Sequence, residues 1–179
     1  MYAIELLKKE HQNILYFIEE TRKTCVDILS GKPVDTALFY EYLSFGRNYA
    51  DKHHHKKEEN ILFKVMLEDL GSIAEKLIRH GMLVEHDLGR RYLMDLEEAL
   101  KEYEETNAVE AKLEIISAMT SYGIFLRRHI EKEDDTVYPF AKRALEDDKK
   151  EWVNEETKRF EQEETEKVNE RFKAWIIEK

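Results

Sequence analysis

The stretch HHHKKEENILF, residues 53–63, places three histidines, two lysines and two glutamates directly before an apolar triplet. A second stretch, HIEKEDDTVY at 129–138, matches it from His54 onward: H-x-x-K-E, then acidic or amide residues, then an aliphatic and an aromatic residue. The two stretches lie 75 positions apart, and the same offset carries the dipeptide EH at 10–11 onto EH at 85–86. A repeat of this kind without a single gap indicates two related halves that build one site.

The helical register decides which histidine of the triplet points inward. Residues four apart lie on one helix face, so the histidine and glutamate of H-x-x-x-E can bind the same metal ion. The face of His54 is apolar apart from Glu58, since it also carries Leu43, Ala50, Ile61 and Val65. The faces of the other two histidines carry charged residues: Asp51, Lys57, Glu59 and Lys64. We therefore predict that His54 and Glu58 point inward, and that the neighbouring polar residues are exposed or support the inner ligands: His53, His55 and Glu59.

The other candidate histidines also lie on mostly apolar helix faces. The face of His129 carries Glu133 and is otherwise mostly apolar, with Ala118, Phe125, Thr136 and Phe140. His11 lies between Leu7 and Leu15, and His86 has apolar neighbours at Met82, Leu83 and Leu93. The lysines at matching positions, Lys57 and Lys132, are expected to be solvated. Six residues are therefore candidate metal ligands: His11, His54, Glu58, His86, His129 and Glu133.

Composition limits the class of protein. A chain of 179 residues with 6 glycines, 2 prolines and 38% charged residues favours one helical domain. The single cysteine, Cys25, excludes an intramolecular disulfide and is expected to be a buried structural thiol. The net charge of −10 argues against a nucleic-acid partner. No apolar run is long enough for a membrane span, and the N-terminus lacks the pattern of a signal peptide, so we expect a cytoplasmic protein.

Apolar periodicity predicts an all-α protein whose residues 1–146 form an antiparallel up-down four-helix bundle. The first helix covers 2–29 and ends at the loop SGKPVD, 30–35. Asp35 is a suitable N-cap for a second helix that runs to about Leu70.

The second pair of helices is predicted in the same way. A turn at 71–72 opens the third helix, which is expected to be disturbed near Gly81. Asn107 and Glu110, three residues apart, resemble a capping box at the start of the fourth helix. That helix is predicted to reach about residue 146.

Residues 147–179 predict a fifth, strongly charged amphipathic helix. Its apolar stripe consists of Val153, Phe160, Val168, Phe172, Trp175 and Ile176. We expect this helix to pack on the bundle or on a partner chain, as in a homodimer. One hypothesis is that it covers one end of the site and brings a carboxylate near a metal, from Glu161, Glu163 or Glu164. The simpler interpretation of its charges is a solvated helix face.

Four inward histidines and two inward carboxylates would be costly to bury without partners. Metal ions remove that cost, because two carboxylates can bridge two cations while two imidazoles complete each side. An oxo or hydroxo bridge can add further negative charge. Mixed nitrogen and oxygen ligands without thiolate suit iron, with manganese and zinc as alternatives.

These motifs resemble the hemerythrin-like, or HHE cation-binding, family of non-haem di-iron four-helix bundles. The resemblance spans about residues 4–145 and rests on four motifs: KEH at 9–11, HHKKEENILF at 54–63, EHDLGR at 85–90 and HIEKEDDTVYP at 129–139. It implies two iron ions held by the same six residues, with both glutamates bridging.

One departure from the family bears on function. The oxygen carriers of the family have a fifth histidine one turn from the third ligand, where this chain has Met82 and Arg90. His55, a glutamate of the fifth helix, or solvent would then complete the coordination. The resemblance therefore implies binding of, or reaction with, oxygen, nitric oxide or peroxide, in oxidative or nitrosative stress or iron-centre repair. The alternative is a module that stores or delivers iron without turnover.

Overall fold

Long helices make up the chain in the computed structural model, which describes residues 1–177 apart from the side chains at 163 and 164. In chain order they are α1 (Tyr2–Leu29), α2 (36–69), α3 (71–106), α4 (109–144) and α5 (Asp147–Arg171), followed by a short 3-10 turn at Lys173–Trp175. The described residues contain no strand. The all-helical class predicted from the sequence is therefore confirmed.

Three of these helices change their winding along their length. The α-helical segments of α2 are Thr36–Phe45 and Phe63–Asp69, and between them lie π-helical segments at Gly46–His55 and Glu58–Leu62. In α3 the π segment is Glu75–Met82, between Gly71–Ala74 and Leu83–Thr106. In α4 it is Glu133–Val137, between Val109–Lys132 and Tyr138–Ala144. Such wide turns are frequent at functional sites.

Two helix starts were predicted from capping residues, Asp35 for α2 and Asn107 for α4, and the structure agrees with the first only. The Asp35 carboxylate accepts a hydrogen bond from the Leu38 amide at 3.1 Å, so the predicted N-cap of α2 is confirmed. Asn107 does not cap α4. It has a left-handed φ of 52° and ends α3, a conformation that asparagine tolerates better than most residues. The prediction of a capping box at Asn107 was therefore wrong.

Two hydrophobic clusters fill the interior, and each of the first four helices contributes to both. The first cluster contains Ile14 of α1, Ala50 of α2, Leu93 of α3 and Leu126 of α4. The second contains Leu7, Ile61, Met82 and Val137 from the same helices. Along the chain the order of the clusters alternates from each helix to the next. On each of the helices α1 to α4, a histidine of the predicted ligand set lies where the two clusters meet.

Helix α5 packs along α1 and reaches both clusters. Val153 is fully buried in the second cluster, and Phe172, just after α5, is buried in the first. The Asn154 side chain accepts a hydrogen bond from the Ala3 amide at 3.0 Å. At the other end, the Asn13 side chain accepts one from the Ile177 amide at 3.0 Å. Within the described part of the chain, no helix combines the length and apolar character needed to cross a membrane.

Candidate metal centre

The six predicted ligand residues lie together between the two hydrophobic clusters. None of their side chains is more than 1% exposed: His11, His54, Glu58, His86, His129 and Glu133. They come from all four of the helices α1 to α4, so each helix brings at least one imidazole to the same place. Burying this many ionisable groups without partners would cost several kcal/mol for each charge.

The side chains form two donor groups that share a carboxylate. In each group, one ligand atom per residue lies within 4.8 Å of the others. The first group comprises His11, His54, Glu58 and Glu133, and the second comprises His55, Glu58, His86 and His129. Glu58 belongs to both groups.

Glu133 also reaches both sides of the centre. Its Oε2 lies 3.2 Å from His11 Nε2, while its Oε1 lies 3.2 Å from His129 Nε2 and 3.8 Å from His86 Nε2. Glu58 presents Oε2 between the groups, at 3.7 Å from His54 Nε2 and 3.5 Å from His86 Nε2. Each carboxylate thus faces imidazoles of both donor groups.

A carboxylate on a neighbouring helix holds the outer nitrogen of each of the four predicted histidines. The Nδ1 atoms of His54 and His129 each lie 2.9 Å from a glutamate oxygen, of Glu10 and Glu85 respectively. The other two histidines form a second pair of contacts, in which His11 Nδ1 lies 3.0 Å from Asp134 Oδ1 and His86 Nδ1 lies 2.7 Å from Glu59 Oε1. The two histidines of this pair lie 75 positions apart, and so do their two carboxylates. Each carboxylate can accept a hydrogen bond from Nδ1–H, so Nε2 is the ring nitrogen that faces the centre.

The sequence repeat includes these outer carboxylates as well as the histidines. Glu10 and Glu85 repeat with the histidines that follow them, and Glu59 and Asp134 repeat after the ligand glutamates. Glu59 was predicted to be exposed or supporting, and its contact with His86 gives it the supporting position. The roles of Glu10, Glu85 and Asp134 were missed, because their partners are on other helices.

Most of the inner atoms of the centre have no hydrogen bond. Among the described residues, no hydrogen-bond partner exists for the Nε2 atoms of His54, His86 and His129, for Glu58 Oε2, or for either oxygen of Glu133. Buried polar atoms are normally paired, and an unpaired one calls for an explanation such as an ion. The donors are imidazole and carboxylate, which suit first-row metals such as iron, manganese and zinc. The residues therefore fit a metal centre.

The protonation preferences of the two inner carboxyls differ. Burial and the nearby charge of Glu133 raise the pKa of Glu58 well above its usual range. Burial also acts to raise the pKa of Glu133, but the nearby charge of His129 outweighs it and holds that pKa well below its usual range. Two carboxyls this close cannot both carry charge at low cost without cations.

His55 departs from its predicted place. It is only 5% exposed, and its ring stacks on that of His86 with centroids 3.9 Å apart. Burial lowers the pKa of His55 well below its usual range. An exposed position for His55 is thus excluded, and the residue joins the second donor group.

Arg90 supports this arrangement from outside. Its Nη2 lies 2.7 Å from Asp51 Oδ1 and 2.8 Å from Glu59 Oε1. Asp51 in turn faces His55 Nδ1 at 3.6 Å, and Glu59 binds His86. The guanidinium thereby holds carboxylates that contact two histidines of the second group.

Lys57 also departs from its prediction, whereas Lys132 does not. The Lys132 side chain is half exposed, but that of Lys57 is buried, because α5 lies over it. Lys57 Nζ pairs with Glu10, donates to Glu161 Oε1 at 2.6 Å and lies 3.1 Å from His53 Nε2. Glu10, His53 and Glu161 are close enough to hold a metal ion, but the lysine ammonium already supplies the positive charge there. His53 is buried in this cluster, so it is not exposed either.

The fifth helix therefore brings one described glutamate toward the centre, but onto Lys57 rather than onto an inner ligand. The hypothesis for Glu163 and Glu164 lies outside the described side chains. Phe160 lies beside this cluster, with its ring centroid 5.7 Å from that of His53.

A comparison with protein families matches residues 2–141 to the hemerythrin HHE cation-binding domain. The chain belongs to this family. The match covers α1 to α3 and nearly all of α4, and it ends before α5. Neither the curated proteins nor the solved structures gave a match to this hemerythrin-like chain. The family and the buried histidine and glutamate residues together support metal binding.

Proposed function

We propose that the protein is a non-haem di-iron protein that binds or reacts with a small ligand: oxygen, nitric oxide or peroxide. The observation that carries this proposal is the sharing of Glu58 between two buried donor groups. A single-metal site would need only one of these groups. Iron suits the mixed imidazole and carboxylate donors, and the same donors can also accept manganese or zinc.

The proposed ligands are the six residues predicted from the sequence, with His55 added: His11, His54, His55, Glu58, His86, His129 and Glu133. His55 supplies from α2 the imidazole that Met82 and Arg90 cannot supply from α3. One metal position then has two histidines and the other has three, while both glutamates serve the two positions. The position beside His11 and His54 has fewer protein donors, so a small ligand would complete the coordination there.

The proposal gives a role to the outer carboxylates, to the two hydrophobic clusters and to the fifth helix. Bound iron would supply a redox-active centre that takes up a small ligand. The outer carboxylates fix the orientation of the imidazoles, so that the Nε2 atoms face the centre, and the two hydrophobic clusters exclude water from both ends of the centre. The alternating order of the clusters along α1 to α4 supports an antiparallel up-down bundle over residues 1–146. The remaining segment, 147–179, is proposed to cover the face of the centre next to Lys57.

Metal analysis tests the proposal. Protein purified from iron-replete cells under anaerobic conditions is expected to contain two iron ions per chain. One ion or none would contradict the proposal. Optical spectra before and after addition of air, peroxide and nitric oxide then test reactivity: a spectral change supports ligand binding or reaction. Two irons without any change would favour storage or delivery of iron.

A further inference from the structure

The two halves of the centre differ at one aromatic position. Phe63 and Tyr138 lie 75 positions apart, and each is fully buried next to a histidine that follows the same repeat. The Tyr138 ring stacks on His11 with centroids 5.5 Å apart, and the Phe63 ring stacks on His86 with centroids 5.9 Å apart. The packing of the ring is therefore repeated, whereas the hydroxyl is present on one side only.

That hydroxyl makes a direct contact with one of the shared carboxylates. Tyr138 Oη donates a hydrogen bond to Glu58 Oε1 at 2.6 Å and lies 3.3 Å from His11 Nε2. Glu58 Oε1 is thus engaged, and Oε2 is the oxygen left without a hydrogen-bond partner among the described residues. In Glu133 both oxygens are without such a partner within the described part of the chain. Phenylalanine at position 63 has no group that could donate to either of them.

We propose that Tyr138 is a positioning residue that makes the two bridging carboxylates inequivalent. By holding Oε1, it leaves Glu58 with a single oxygen to offer to the metals, whereas Glu133 offers two. This inference rests on the proposed two-metal centre and adds to it a residue outside the ligand set. It also assigns a purpose to a break in the repeat that touches an inner ligand.

The test uses the full-length protein and Zn²⁺ as the probe, because zinc has no redox chemistry to complicate the comparison. Affinity is measured by competition with a chromophoric chelator, and the number of bound ions is measured by elemental analysis. Infrared difference spectra between zinc-loaded and metal-free protein, both labelled with ¹³C in the glutamate carboxylates, report the carboxylates whose bands change on metal binding. Tyr138→Phe removes the hydroxyl and keeps the ring.

The matched control is Tyr49→Phe. The Tyr49 hydroxyl is also buried and hydrogen-bonded, at 2.7 Å from Asn13 Nδ2, but it does not contact a proposed ligand. We expect Tyr138→Phe to retain two zinc ions with affinity weakened by about tenfold or more, as is usual when a group supporting a metal ligand is lost. The Tyr49→Phe variant should keep the wild-type affinity and the wild-type infrared bands.

The double variant Phe63→Tyr/Tyr138→Phe moves the hydroxyl to the other half of the repeat. The infrared bands of the two carboxylates should again differ, but with Glu133 as the glutamate that accepts the hydrogen bond from the tyrosine hydroxyl. Wild-type bands and affinity in folded Tyr138→Phe would overturn the inference. If Tyr138→Phe does not fold, the wild-type zinc protein still tests the inference. Carboxylate bands of Glu58 and Glu133 at the same frequency, with the same shift in deuterated water, would overturn it. Fewer than two zinc ions in the wild type would instead count against the proposed two-metal centre.

Discussion

His86 Nδ1 lies 2.7 Å from Glu59 Oε1, and this contact joins a histidine on α3 to a carboxylate on α2. The carboxylate can accept a hydrogen bond from the Nδ1–H group, and Nε2 then faces the centre. Hydrogen bonds from His86 and Arg90 outweigh the effect of burial and lower the pKa of Glu59, so the carboxylate is ionised at neutral pH. An anionic partner raises the basicity of the imidazole and thereby its strength as a metal ligand.

Glu59→Gln should therefore weaken metal binding without unfolding the protein. The amide keeps the shape of the side chain but removes the charge, and we expect affinity for Zn²⁺ to fall by about 10- to 100-fold. Glu98→Gln, an exposed position on α3, is the matched control. Equal affinities of the two variants in chelator competition would show that the Glu59 charge does not act on His86.

The histidine triplet gives a second prediction. His54→Ala and His55→Ala should each lose bound metal, because each removes a donor from a different group, whereas His53→Ala should retain two ions. His53 lies beside Glu10 and Lys57 rather than among the inner donors. Elemental analysis of the three variants, with circular dichroism to confirm folding, decides the matter. Retention of both metals in His55→Ala would return this residue to the supporting position predicted from the sequence.

The sequence was sufficient to group the six candidate ligands, because two features repeat with the same offset. One feature is the spacing of four between histidine and glutamate, and the other is an apolar face around each histidine. These features do not depend on knowing how the helices pack. The helix boundaries near Leu29 and Asp35 were predictable for a similar reason, since the local signals at helix ends are strong.

His55 and Lys57 could not be placed from the sequence. The register argument assumed regular α-helical rotation and one buried face, but Gly46–His55 is wound as π-helix and contacts α1, α3 and α5. Residues that would point to solvent on a helix with one buried face are therefore enclosed. Lys57 and Lys132 occupy matching sequence positions, yet only Lys57 is covered by α5. That difference comes from tertiary packing, which the local pattern does not contain.

Metal binding should stabilise the fold strongly. Cations relieve the repulsion between Glu58 and Glu133, and they bind the folded chain rather than the unfolded one. At a free metal concentration about 1,000 times Kd, one site contributes about 4 kcal/mol. For a chain of this size such a gain raises Tm by roughly 8–16 °C. Calorimetry of metal-loaded and chelator-treated protein measures the difference, and an unchanged Tm would mean that the buried donors do not bind the added metal.

Cys25 is expected to react slowly with thiol reagents. Its side chain is buried in the first hydrophobic cluster, and burial raises the pKa of the thiol to about 11. Because the thiolate is the reactive form, little of it exists at pH 8. Mass spectrometry after treatment with iodoacetamide should show little alkylation in native protein and complete alkylation in urea. Rapid modification of the native protein would contradict the buried, structural role predicted for this cysteine.

The contact between Lys57 and Glu161 should anchor α5 on the rest of the protein. Lys57 is 1% exposed, and its ammonium depends on Glu10 and on Glu161, which lies 2.6 Å away. Phe160 is close enough to Lys57 for a cation–π contact, with Nζ 5.5 Å from the ring centroid. Removing α5 altogether is a poor test, because Val153 and Phe172 would leave holes in both hydrophobic clusters.

Glu161→Gln isolates the anchoring contact. It removes the charge opposite a buried ammonium, so the free energy of unfolding should fall by about 1–3 kcal/mol. Glu170→Gln is the control. Glu170 lies on the exposed surface of the same helix and pairs with Lys173 of the following turn, so its replacement should have no measurable effect. Denaturant titration measures both variants. The metal content of Glu161→Gln should remain at the wild-type value, because Glu161 contacts Lys57 and not an inner ligand. Loss of metal without loss of stability would instead assign Glu161 to the metal centre.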